Sequence, residues 1–152
     1  MINVQAGIMI ERPIEEVFAY VADPRNLPAW SSAVVSVRPA DGATSPTRYV
    51  MERNLPVGLA TNEFEVVAEQ PNREFTLRTT SGPTPFAYRI RFTPVGQGTR
   101  LDVDVSASLG LAGGAAGPLA RAFVRRGVND NLATLKAILE RARVRPIRRS
   151  VA

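Results

Sequence analysis

In the second half of the chain, apolar residues fall on every other position. Phe75, Leu77 and Thr79 alternate with Glu74, Thr76 and Arg78; Phe86, Tyr88, Ile90 and Phe92 alternate with Arg89 and Arg91; Leu101, Val103, Val105 and Ala107 alternate with Arg100, Asp102 and Asp104. A period of two sends successive side chains to opposite faces of a strand, so the pattern predicts an antiparallel sheet with one wet and one dry face. The dry face needs a cover. Beyond the glycine-rich passage Leu109 to Gly117 the period changes. Leu119, Phe123, Val124, Val128, Leu132, Leu135, Ile138 and Leu139 recur at helical spacing and predict one long amphipathic helix from about Pro118 to Ala142.

The N-terminal half supplies the remaining elements. Val4, Ala6, Ile8 and Ile10 share one phase of an opening strand over Ile2 to Ile10, which stops before Pro13. Pro13 at a first helical position, the acidic pair Glu15 and Glu16, and Ile14, Val17, Phe18 and Val21 at helical spacing predict a short helix closed by Asp23-Pro24. Asn26 is placed to cap a second short helix bearing Leu27 and Trp30, whose indole is too large to stay fully exposed. Val34, Val35 and Val37 open the next strand, which ends at Pro39, and Ala40 to Pro46 reads as a hairpin loop. Strands over Arg48 to Asn54 and Gly58 to Ala68 follow, and Pro71-Asn72, Gly82-Pro83-Thr84-Pro85 and Gly96-Gln97-Gly98 mark the later turns. The predicted order is strand, two short helices, six strands and a long helix. Short connections make the six strands an antiparallel meander.

Two glycine features bear on function. The passage LGLAGGAAG lacks the Gly-Lys-Ser/Thr ending of a phosphate loop and is expected to swing the chain from the last strand across the open face of the sheet. Gly127 lies inside the long helix, where glycine costs about 1 kcal/mol relative to alanine. Close approach of the helix backbone to the sheet is the expected reason, with room for a ligand as the other.

Composition narrows the chemistry. A chain of 152 residues suits one domain with a sizeable core. With no cysteine and no histidine, there is no disulfide framework, thiol nucleophile, histidine triad or zinc site built on S or N ligands. No convergent carboxylate cluster suggests another metal, so neither metal nor cofactor is expected. The net charge of +5 is concentrated at the end, where Arg141, Arg143, Arg145, Arg148 and Arg149 leave a body of 14 basic against 14 acidic residues. The expected organisation is a domain over 1–142 and a basic tail over 143–152. Interspersed charges, with aromatics confined to the apolar phase, give no nucleic-acid-tracking stripe. No secretory or membrane-spanning run is apparent, which predicts a cytoplasmic protein without integral membrane association. Oligomeric state is not readable from the pattern.

The local sequences also resemble a known family. RPIEEVFAYVADPRNLPAW, with Pro13, Val17, Phe18, Asp23, Pro24, Leu27 and Trp30, the middle PNREFTLRTTSG, the hairpin FTPVGQGTRLDVDV, and NLATLK, with Asn131, Leu132, Leu135 and Lys136, resemble the polyketide cyclase/dehydrase-like branch of the START-like (SRPBCC, birch-pollen-allergen-type) superfamily over about residues 2 to 140. The resemblance implies an α+β helix-grip fold, a bent antiparallel sheet wrapped around the C-terminal helix with a cavity between them for small, mostly apolar molecules. Members include polyketide cyclases, lipid and sterol carriers, quinone-binding proteins and hormone receptors, so the fold does not fix the chemistry.

Candidate site residues are the polar groups that share the dry phase. Tyr88 lies between Phe86 and Ile90, Tyr49 and Arg53 flank Met51, and Asn62 is in phase with Phe64 and Val66. An inward Arg53 is costly unless paired with a carboxylate or an anionic ligand. Phe123, on the covering helix, completes the candidate ligand-binding set of Tyr49, Arg53, Asn62, Tyr88 and Phe123. The outward charges have a different purpose: Arg89 and Arg91 are expected to pair across a hairpin with Asp102 and Asp104 as a ladder that fixes register. The expected function is binding of a small lipophilic or aromatic molecule between sheet and helix. The alternative is a polyketide cyclase or dehydratase acting on a poly-carbonyl substrate in the same space.

Overall fold

The computed structural model describes residues 1–40, 47–56, 58–108 and 117–142. Most of the expected hairpin loop before Pro46, the glycine-rich passage before Gly117 and the basic tail 143–152 lie outside the described residues.

The elements follow the expected order. Strand β1 (Ile2–Ile10) leads into helices α1 (Ile14–Val21) and α2 (Leu27–Trp30), then strands β2 (Val34–Pro39), β3 (Arg48–Leu55), β4 (Gly58–Gln70), β5 (Glu74–Ser81), β6 (Phe86–Val95) and β7 (Gly98–Ala107), and finally helix α3 (Gly117–Ala142). The strands form one seven-stranded antiparallel sheet in the order β1-β7-β6-β5-β4-β3-β2. Consecutive strands pair because their connections are short, and β1 joins the far edge beside β7. Register shifts between Val34 and Ser36, Glu63 and Phe64, and Val66 and Ala68 concentrate bending in β2 and β4. The product is a helix-grip, a bent sheet that wraps the long helix.

Local chemistry explains the helix starts, with two departures from expectation. Pro13 is the N-cap of α1 rather than its first helical residue, and its carbonyl accepts from the N–H groups of Glu16 and Val17 at 3.0 and 3.1 Å. Asn26 precedes α2 without capping it, because its Nδ2 reaches back to the carbonyl of Tyr20 at 2.9 Å. Asp23 does the capping instead, accepting from the N–H of Arg25 at 3.1 Å to start a short 3₁₀ turn over Pro24–Asn26.

The core runs along the inner face of the sheet, from Tyr49, Met51 and Phe64 through Leu77 to Val103 and Val105, and is thickest beneath the short helices. Val17, Phe18, Val21, Leu27 and Trp30 from the two short helices pack with Ile10, Ile90, Phe92 and Leu101 of the sheet and Leu132, Leu135 and Leu139 of α3. Phe18 meets Phe92 edge to face, with ring centroids 5.0 Å apart. These short helices close one end of the grip.

The charge ladder forms on the outer face, with partners other than those expected. Arg91 pairs with Asp104 at 3.2 Å, but Arg89 turns to Glu74 of β5 at 3.0 Å, and Asp102 is held by Arg100 of its own strand at 3.2 Å. β6 has a neighbour on each side, and Glu74 is the nearer partner for Arg89. Arg78 and Glu65, opposite each other across β4 and β5, pair at 2.9 Å.

Candidate functional site

The end of the grip away from α1 is packed differently. Along β6, Phe92 and Ile90 are buried, whereas Tyr88 and Phe86 in the same inward phase remain partly accessible. On helix α3, Leu132, Leu135 and Leu139 are buried, Val124 and Val128 on the same face are half-buried, and Ala120 one turn earlier is buried again. The helix backbone runs close to β1 and α2 and stands off the central strands. Gly127 fits this separation rather than the expected close packing, since a Cβ built on it would meet nothing within 4 Å. Phe86 and Tyr88 on the sheet and Val124 and Val128 on the helix thus pack against the core with part of their surface left accessible.

Arg53 and Asn62 meet next to Phe86. Both lie in the inward phase of adjacent strands, and Asn62 is fully buried. Arg53 Nε donates to Asn62 Oδ1 at 2.9 Å, and its Nη2 reaches the carbonyls of Pro83 and Thr84 at 3.0 and 2.9 Å and Thr84 Oγ1 at 2.6 Å. Asn62 spends both amide protons on the carbonyls of Ser81 and Pro83, at 3.0 and 2.9 Å. The pair thus ties the β5–β6 turn to β3 and β4. Gly82 makes this approach possible: its φ is +97°, and a Cβ there would lie 2.4 Å from the carbonyl oxygen of Thr61. The guanidinium also stacks over the Phe86 ring, 4.7 Å from its centroid. Burial lowers the Arg53 pKa, while the neighbouring Tyr88 acts in the opposite direction. Among the described residues no carboxylate forms a salt bridge with this cation.

Tyr88 adjoins this cluster, its ring 5.6 Å from that of Phe86 between centroids. Burial raises its pKa, opposed by the nearby Ser31 side chain and by the positive charge of Arg53. Ser31 is buried just past the end of α2, and its Oγ accepts a long hydrogen bond from Asn131 Nδ2 of α3 at 3.4 Å. Asn131 Oδ1 in turn accepts from the N–H of Ser32 at 3.1 Å. Asn131 thus ties the residues that follow α2 to the covering helix. Thr79, another inward polar residue, bonds both backbone groups of Phe86 at 3.0 and 3.2 Å and extends the β5–β6 pairing.

The structure brings Arg53, Asn62 and Tyr88 together and places the other two candidates elsewhere. Tyr49 is buried against Phe64, nearly parallel to it at 5.3 Å between centroids, and its electrostatic neighbours include Asp23 and Arg25. Phe123 is 63% exposed and stands outside the packed core, as does Leu119 one turn earlier at 77%. Ser31, Thr84 and Asn131 were not among the candidate site residues. Asn131 left a readable signal, a polar residue among Val128, Leu132 and Leu135 on the apolar face. Trp30 adds a further feature: only 4% exposed, its indole Nε1 is the one buried side-chain polar atom without a hydrogen-bond partner among the described residues. Also among the described residues, no group of three or more His, Cys, Asp or Glu side chains is placed to hold a metal ion.

A family model described as polyketide cyclase / dehydrase and lipid transport matches residues 1–140. The chain belongs to this family. Solved structures agree on the fold of this polyketide cyclase / dehydrase and lipid transport family member. A conserved protein from Geobacillus kaustophilus superposes with a TM-score of 0.77 at 18% identity, covering 93% of this chain and 97% of the other. A START superfamily protein from Mycobacterium smegmatis gives 0.75 at 15% identity over 92% and 98% of the two chains. The di-domain ARO/CYC BexL of the BE-7585A biosynthetic pathway gives 0.71 at 16% identity, with 92% of this chain covering 47% of that one. A comparison with curated proteins finds no match. At these identities the likeness to solved structures carries the fold alone. No described helix of this family member is long and apolar enough to cross a membrane.

Proposed function

We propose that the protein binds a small lipophilic or aromatic molecule between the open half of the sheet and the N-terminal half of α3. One observation carries this reading: inward apolar residues on both facing walls, Phe86 and Tyr88 on the sheet and Val124 and Val128 on the helix, keep partial access while their in-phase neighbours are buried. Apolar surface left uncovered forfeits stabilisation of about 25 cal/mol per Å², which a fitting apolar ligand restores. Membership of a family described by lipid transport as well as cyclisation agrees with such a chamber. Native mass spectrometry of gently purified protein, followed by solvent extraction, tests it. A bound or exchangeable small molecule is expected, and its repeated absence, together with failure to bind an apolar fluorescent dye, overturns the reading.

One observation favours cyclase or dehydratase chemistry as a second reading. Arg53 lies within electrostatic reach of Tyr88, a pair suited to polarising a carbonyl and orienting a folded poly-carbonyl substrate. The group in short supply is a base. Tyr88 is shifted further from neutrality, and the chain has no histidine. Turnover of a poly-β-carbonyl thioester, abolished by R53Q and Y88F together, is the result that would replace binding with catalysis.

A further inference from the structure

Two donors near the site lack a protein partner among the described residues. Asn62 has committed its two amide protons to Ser81 and Pro83, and its oxygen accepts from Arg53. The carbonyls of Pro83 and Thr84 and the hydroxyl of Thr84 are already engaged by Arg53 Nη2. Arg53 Nε and Nη2 are used, whereas Nη1, which carries two protons, has no partner among the described residues. Trp30 holds the other unused donor at its buried Nε1, whereas Arg53 Nη1 is not buried. Both leftover groups are donors, and one belongs to a half-buried cation whose partners among the described residues are neutral oxygens and the face of Phe86.

We infer that the ligand of this site is amphipathic, with an apolar body and one anionic, acceptor-only end such as a carboxylate or phenolate, seated on Arg53 Nη1. The inference rests on the binding function proposed above and narrows it. A carboxylate satisfies Nη1 and supplies the missing counter-charge, giving the charge-assisted geometry in which guanidinium groups excel. An alcohol offers the acceptor without the charge. An ammonium end meets a like charge at Arg53, so the site discriminates against it.

Calorimetric titration of the full chain at pH 7.5 with decanoate, methyl decanoate and decylamine, each below its aggregation concentration, tests the assignment. The acid is expected to bind about ten- to a hundredfold more tightly than its ester, the range of one charge-assisted hydrogen bond, and the amine more weakly than both. In R53Q the acid-to-ester ratio should fall to about one while the ester keeps its affinity, and R53K should restore part of the preference. Circular dichroism and thermal unfolding of both variants separate a lost anion partner from a lost β5–β6 turn. Equal binding of acid and ester by the wild type, or preference for the amine, overturns the anionic assignment and leaves the binding function standing. Failure of all three probes and of 2-naphthoate to bind overturns both.

Discussion

Lys136 Nζ donates to the backbone carbonyl of Met9 at 2.7 Å, fastening the covering helix to an edge strand of the sheet. The same ammonium holds Glu140 at 2.7 Å, and Glu140 accepts from the N–H of Glu11 at 2.8 Å. One helix turn thus meets two backbone groups, one in β1 and one just past its end. These bonds sit beside Leu135 and Leu139, so polar and apolar attachment coincide in the C-terminal half of α3.

Such lopsided attachment predicts lopsided exchange. Amide protons over residues 131–139 should exchange through near-global unfolding, and those over 121–127 orders of magnitude faster, a gradient measurable by hydrogen exchange with fragment-resolved mass spectrometry. Uniform protection along α3 would contradict it. Lys136→Met should lower stability by about 1–2 kcal/mol in urea unfolding, since it leaves the Met9 carbonyl without its partner.

Gly82→Ala tests the turn that Arg53 and Asn62 hold. A methyl group there meets the Thr61 carbonyl and Asn62 Nδ2 at 2.4 and 2.7 Å, and φ is +97°. We expect a loss of about 1–3 kcal/mol from the backbone conformation and the displaced bonds. Chemical denaturation would measure it, and a change below about 0.5 kcal/mol would show that the turn relaxes freely.

Gly127→Ala should do the opposite. Open space around the new methyl leaves only the gain in helix propensity, about 0.5–1 kcal/mol of added stability and a rise of a few degrees in Tm. A loss of stability would mean that the helix sits closer to its surroundings than the structure places it.

All three tyrosines, Tyr20, Tyr49 and Tyr88, have pKa values raised by burial. Folding thus favours their neutral form. The associated stability is fully present below the ordinary tyrosine value near 10 and falls as pH climbs from there through the raised folded values. Thermal unfolding between pH 8 and 11 should show this alkaline decline, with no tyrosinate absorbance before the ordinary value is passed. Tyr88→Phe should make the decline shallower.

The architecture was legible because period and punctuation agree along most of the chain. Alternation in β5, β6 and β7, proline and glycine at the turns, and the change to helical spacing each have one structural solution. Departures arose where two partners competed: Arg89 had Glu74 on one side and Asp104 on the other, and Asn26 found the Tyr20 carbonyl instead of a helix N-terminus. The site was half legible. Phase alone identified Arg53, Asn62 and Tyr88 as inward polar groups, but phase carries no information about depth, so Tyr49 and Phe123 were grouped with them. Helical spacing places Phe123 within a broad apolar arc, and only the tilt and stand-off of α3 decide which edge of that arc meets water.

The outer ladder of ion pairs has a consequence for how this chain can vary. Arg78 with Glu65, Arg89 with Glu74, and Arg91 with Asp104 hold neighbouring strands in register from outside, and α1, α2 and the Leu135 end of α3 close the structure at one pole. Phe86, Tyr88, Val124 and Val128 take no part in the ladder and are only partly buried where they pack on the core. Substitutions at Phe86, Tyr88, Val124 or Val128 can therefore change what the interior recognises while the instructions for folding stay intact, which makes this end of the molecule a natural place to redesign specificity without rebuilding the protein.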